Sequence, residues 1–97
     1  MDNAEVGKRL RYFREKKKMN RNALANAAGV SPTYIYQLEK GEKSPTVEYL
    51  GYICDALKIT LPTFFGDAEN MRDLPNKVDE LTPVQKELLN DFLNSLR

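Results

Sequence analysis

The side chains able to do chemistry are unevenly supplied along this chain. Histidine is absent, so His-based triads, Cys-His dyads and His-containing zinc sites are all excluded. The one cysteine, Cys54, has no partner for a disulfide within the chain, which fits a reducing compartment. Carboxylates occur, but neither a glycine-rich phosphate loop nor a clustered ligand set accompanies them. Nothing here points to an enzyme, a metal or a cofactor. What the front of the chain does supply is positive charge. Residues 1–43 hold Lys8, Arg9, Arg11, Arg14, Lys16, Lys17, Lys18, Arg21, Lys40 and Lys43 against Asp2, Glu5, Glu15, Glu39 and Glu42, ten minus five, or +5. Residues 44–97 carry five basic and nine acidic side chains, or −4, and the two halves sum to the net +1 of the chain. The front half suits a phosphate-bearing partner and the back half does not.

Ninety-seven residues fit one small domain with an appended element. At that size about two-thirds of the unfolded surface can be buried without metal or disulfide staples. No apolar run approaches the roughly 18 residues of a membrane span, and the opening MDNAEVGKRL lacks the apolar region of a signal peptide. The expectation is a soluble, cytoplasmic protein.

Apolar residues recur at helical spacing, and no strand-like alternation of useful length competes with them. Val6, Leu10 and Phe13 make an amphipathic helix from about Ala4 to Lys17, and Asn20 suits the N-cap of the next. A second helix runs from Arg21 to Ala28 and stops at Gly29. Ser31 then caps a third helix with Pro32 at its first position, Ile35 and Leu38 facing inward, and Gly41 as its end. Pro45 is read as opening a fourth helix whose apolar face is Val47, Leu50, Ile53, Cys54 and Leu57. A short fifth, Leu61–Phe65, lies between Thr60 and Gly66, with one of Phe64 and Phe65 expected in the core and the other toward a neighbouring subunit or the tail. Residues 67–81 are acidic and weakly periodic, and read as a linker that is partly ordered at most. Thr82-Pro-Val-Gln85 has the form of a capping box, and opens a final helix with Val84, Leu88, Leu89, Phe92, Leu93 and Leu96 on one face.

The stretch 21-RNALANAAGVSPTYIYQLEKG-41 is the unusual one. Two helices joined by so short a turn must cross steeply, and a close crossing needs a small side chain, which Ala25 provides. Ala25, Gly29, Ile35 and Leu38 therefore describe a helix-turn-helix from physical needs. Residues 6–66 resemble the lambda-repressor/Cro-like, or XRE, family of helix-turn-helix regulators. The resemblance is carried by 7-GKRLRYFREKKKMNRNALANAAGVSPTYIYQLEKGEKSPTVEYLGYICDAL-57 and the closing 60-TLPTFF-65. It implies an all-α, five-helix lambda-repressor-like domain over residues 1–66, followed by the linker 67–81 and the C-terminal amphipathic helix 82–97.

The resemblance also implies roles. Helix three becomes the recognition helix in the major groove, with Pro32, Thr33, Tyr36 and Gln37 toward base edges. Glutamine can bond adenine bidentately, and threonine can touch a thymine methyl. Proline at position 32 departs from the long polar side chain often found there, which shifts reading onto Thr33, Tyr36 and Gln37. Asn20, Arg21, Ser31, Lys40, Lys43 and Ser44 are the implied phosphate contacts, setting register without reading sequence. Arginine at 21, where relatives often carry glutamine, should strengthen nonspecific binding. Arg14 and Glu39 are implied to form an ion pair buttressing the recognition helix, worth about 1 kcal/mol at most if it lies on the surface.

The expected activity is sequence-specific regulation of transcription, as a repressor on a palindromic operator, with double-stranded DNA as partner. The tail helix leaves three outcomes open: docking onto its own domain, pairing with a second copy, or receiving another protein. A homodimer through Leu88, Leu89, Phe92, Leu93 and Leu96 is favoured, because one recognition helix reads only a few base pairs. The alternative is an antitoxin-like or adaptor module whose tail binds a partner protein, with DNA binding secondary.

Overall fold

The structure, a computed structural model, describes residues 1–66 and 71–97. Among them are six α-helices and no strand: α1 Asn3–Lys16, α2 Arg21–Ala28, α3 Pro32–Glu39, α4 Val47–Leu57, α5 Leu61–Phe65 and α6 Pro83–Asn94. A single 3-10 turn, Val78–Glu80, precedes α6. Every α-helix opens on a side-chain cap, from Asp2, Asn20, Ser31, Thr46, Thr60 and Thr82 respectively. Each cap oxygen accepts one of the N–H groups that the first turn leaves unpaired. At α6 the box is reciprocal: Gln85 N–H donates to Thr82 Oγ1 at 3.1 Å, and Thr82 N–H to Gln85 Oε1 at 2.8 Å.

One core unites the helices. Val6, Leu10, Leu24, Ala25, Ile35, Leu38, Leu50, Ile53 and Leu57 fill its centre, each no more than 2 % exposed. Packing of α2 on both α3 and α4, and of α1 on α3, fixes the angle at which α3 stands. Backbones come close at Gly7, in the middle of α1. A Cβ there would overlap the carbonyl oxygen of Leu38 and lie 2.7 Å from that of Glu39. Glycine at position 7 is thus what lets α1 lie against the end of α3.

The structure corrects two expectations. Pro45 does not open α4; it is buried one residue ahead of the Thr46 cap. Residues 71–81 are packed rather than loose, with Met71 and Leu81 buried, Leu61 N–H bonded to the Asn76 carbonyl at 2.9 Å, and Val78 seated on Gly51; residues 67–70 of the expected linker lie outside the described residues. Phe64 and Phe65 are both buried, and of the two it is Phe65 that faces the tail, where Phe92 of α6 meets it edge-on, centroids 6.4 Å apart.

The reason is the position of α6, which docks on its own domain. Leu89, Leu93 and Leu96 are 4 %, 0 % and 6 % exposed. Asn90 Oδ1 accepts from Val47 N–H at 3.0 Å, and the Arg97 carbonyl accepts from Asn3 N–H at 3.1 Å. The expected dimer stripe is therefore split. Leu89, Leu93 and Leu96 belong to the intrachain core and Phe92 is half-buried, while Leu88, with Val84, remains on the outside at 64 % and 65 % exposure.

Candidate nucleic-acid interface

The helix α3 is eight residues long and uses only Ile35 and Leu38 for the core. Its remaining length is surface. Pro32, Thr33 and Lys40 are exposed, Tyr36 is 43 % exposed and Gln37 is half-buried. The Gln37 amide makes no hydrogen bond among the described residues. The steep turn that frees this edge is made by Gly29, at φ 74°, a left-handed backbone that an L side chain resists. Ser31 then restarts the chain by accepting from Tyr34 N–H at 3.0 Å. The serine proton stays free to donate outward.

Beneath this edge lies a buried charge cluster. Arg14 donates to Glu39 through Nε at 2.6 Å and through Nη2 at 3.1 Å, a two-pronged pair. The side chains are 9 % and 2 % exposed, so the pair is no surface bridge. The Glu39 hydrogen bond raises the pKa of the Arg14 guanidinium, against the opposing effect of its burial. Arg14 Nη1 also donates to the Met19 carbonyl at 2.9 Å, tying α1 to the turn ahead of α2. One arginine thereby fastens both α1 and the turn ahead of α2 to the foot of the outward helix.

Of the residues implied as phosphate contacts, four present free donors. Lys40 and Lys43 are exposed; Ser31 retains its hydroxyl proton; Asn20, whose Oδ1 caps Ala23 N–H at 2.7 Å, retains its amide protons. The other two are engaged by groups of the chain itself. Arg21 donates through Nε to Glu39 Oε1 at 3.1 Å, and its guanidinium carbon stands 5.2 Å from the Tyr36 ring centroid. Ser44 spends its hydroxyl proton on Asn3 Oδ1 at 2.5 Å. Neither is a freely extended clamp. Lys16, Lys17 and Lys18 are exposed at the end of α1, with Lys16 over the Tyr12 ring at 5.6 Å.

The arrangement leaves an open depression of about 510 Å³ between the start of α2 and the outer edge of α3, lined by Arg14, Asn20, Arg21, Asn22, Pro32, Thr33 and Tyr36. Sequence reasoning missed Asn22. Its position in the first turn of α2, beside two residues already singled out, was the available signal. A convex edge of hydrogen-bonding side chains, flanked by amide and ammonium donors, has the chemistry for base edges between two phosphate backbones. Between α3 and α4, Tyr34, Tyr49 and Tyr52 form a ring ladder at 5.3 and 6.0 Å, half-buried at Tyr34 and roughly half-exposed at the other two.

Comparison with known proteins agrees with this geometry. A helix-turn-helix family model matches residues 10–64. The chain is similar to the HTH-type transcriptional regulator DicA of Escherichia coli, 33 % identical over 93 residues that cover 93 % of this chain and 68 % of DicA. Among solved structures it resembles an HTH_3 family transcriptional regulator from Vibrio cholerae, with TM-score 0.64 and 29 % identity, covering 68 % of this chain but only 37 % of that one. The SinR protein/SinI protein complex shares the fold over 93 % of this chain and 80 % of the other, at TM-score 0.60 and 21 % identity. Transcriptional regulators of this helix-turn-helix family are DNA-binding proteins and not enzymes. With its outward α3, its buttressing Arg14–Glu39 pair and its family match, the chain belongs to the lambda-repressor/Cro-like (XRE) helix-turn-helix family of transcriptional regulators.

Proposed function

We propose that this regulator is a sequence-specific repressor acting as a homodimer on a palindromic operator. The observation that carries the reading is the open outer edge of α3, where Pro32, Thr33, Tyr36 and Gln37 are spared from the core. Inserted in the major groove, that edge gives Gln37 an adenine to bond, Thr33 a base edge or thymine methyl, and Tyr36 a methyl or sugar. Asn20, Ser31, Lys40 and Lys43 hold the two backbones and release counterions, which makes affinity salt-dependent. Repression follows from occlusion of polymerase. Such a protein works where DNA is, in the cytoplasm; no helix among the described residues is long and apolar enough to cross a membrane.

Dimerisation supports specificity by doubling the base pairs read. The surface left for it on α6 is the Val84–Leu88 strip, not the buried leucines. Selection of bound sequences from random DNA at stated salt tests the whole reading. We expect a palindrome with half-site centres about 10 base pairs apart. An enriched single short site without symmetry would overturn the dimer, and no enrichment would overturn sequence reading. The second reading, a module that binds another protein through its tail, draws on the same exposed strip. Copurification of a second small protein, lost in Leu88→Glu, would favour it.

A further inference from the structure

The resemblance implies that Arg21 grips a phosphate, yet its side chain, 38 % exposed, is held against the protein surface. Its Nε donates to Glu39 Oε1 at 3.1 Å, on a carboxylate that Arg14 already holds through both oxygens. That anchor is 2 % exposed and cannot swing. With Nε pinned, the planar guanidinium lies against the Tyr36 ring, its carbon 5.2 Å from the centroid. Lys40, the residue that caps the end of α3, approaches the same ring at 5.8 Å. Tyr36 and Glu39 are three residues apart on one helix face, so a single arginine from α2 can touch both. Only a residue with a planar cation and a separate Nε–H can bridge a carboxylate and an aromatic face in this way.

We infer that Arg21 is a positioning residue for sequence recognition: it transmits the rigidity of the buried Glu39 pair to Tyr36 and holds that ring in the orientation that meets the duplex. The inference rests on the proposed base-facing role of Tyr36. It places Arg21 among the determinants of specificity and removes it from the nonspecific phosphate contacts. A reading side chain fixed before binding loses less freedom when the complex forms, and that saving is realised only where the ring finds its matching partner.

The test titrates the full chain as wild type, R21Q, Y36A and R21Q/Y36A on a selected duplex and a scrambled duplex over a range of salt. Arg14 still pairs Glu39 in R21Q, so that variant keeps its fold, which thermal unfolding checks. R21Q is expected to narrow the ratio of selected to scrambled affinity roughly two- to five-fold, the size of an exposed cation–π contact. The salt slope stays as in wild type, and R21Q adds no further narrowing in the Y36A background. In the free protein, the side-chain couplings of Tyr36 move from a single rotamer to averaged values on R21Q substitution. Equal loss on both duplexes with a slope flatter by about 0.9 would make Arg21 a phosphate contact and overturn the inference. So would equal narrowing with and without Tyr36, or an unchanged Tyr36 rotamer. If Y36A alone leaves the ratio intact, it is the base-facing role of Tyr36 that fails, separately from Arg21.

Discussion

At the scale of single residues, Glu39 carries the most consequence. It lies between Arg14 and Arg21 with its side chain almost wholly buried. Deleting a buried partner strands the opposite charge, which costs about 3–5 kcal/mol, well above the 1 kcal/mol ceiling of an exposed pair. Glu39→Ala is therefore expected to lower stability by that amount in denaturant unfolding, with Arg14 left without its partner beneath α3. Cys54 makes the opposite kind of prediction. Burial pushes its thiol up to about 12 from the ordinary 9.0, with the nearby Asp55 charge adding to the effect. Thiolate is the reactive form. A thiol reagent at pH 8 should leave the native protein unlabelled and label it fully in denaturant; rapid native labelling would contradict the buried placement. The pairing of Arg14 with Glu39 was legible through resemblance alone, since nothing in local spacing joins residues so far apart. Its burial was not legible, because exposure depends on which helices cover the pair.

Between elements, glycine decides where backbones can touch. Gly7→Ala would drive a methyl into the carbonyls of Leu38 and Glu39, backbone atoms that cannot step aside. We expect a loss of about 1–3 kcal/mol or more, and weaker binding to all DNA sequences as α3 shifts on α1. At Gly51 the obstacle is only the Val78 side chain, whose Cγ2 would lie 2.8 Å away. Gly51→Ala should loosen the 71–81 segment, visible as faster proteolysis there, and Val78→Ala should restore protection. No restoration would mean that the two are not in contact. Helix ends were readable here because caps and stops are local chemistry: Asn20, Ser31, Thr60 and Thr82 cap as their types suggest, and Gly29 and Gly41 take left-handed backbones. The crossing at Gly7 was not, since a glycine inside an amphipathic run does not say which helix will pass over it. Pro45 misled for a related reason: proline suits the residue before a cap as well as the first turn after one.

On the scale of the whole molecule, the C-terminal helix is part of the domain. It supplies Leu89 and Leu93 to the core and Leu96 joins them just past its end, each burial worth at most about 1.5–3 kcal/mol. Truncation after Glu80 should therefore lower the melting temperature sharply and uncover Phe65, whatever the oligomeric state. An unchanged melt would contradict docking in cis. Leu88→Glu, on the outer face, should leave the melt intact and shift sedimentation toward monomer. The amphipathic pattern of α6 was plain in the sequence, but its partner was not: six apolar residues on nearly one face fit a self-docked helix and a dimer equally well. Charge follows the same division, with the basic half bearing α3 and the acidic half closing the back of the core. The account as a whole stands on α3 reading bases through its open edge, and one titration addresses that directly. Gln37→Ala is measured against wild type on the selected duplex and on a scrambled one at the same salt. The prediction is a loss of about 1–3 kcal/mol on the selected site, confined to one base position, with scrambled DNA bound as before. Equal loss on both duplexes would show that the outer edge of α3 does not read sequence.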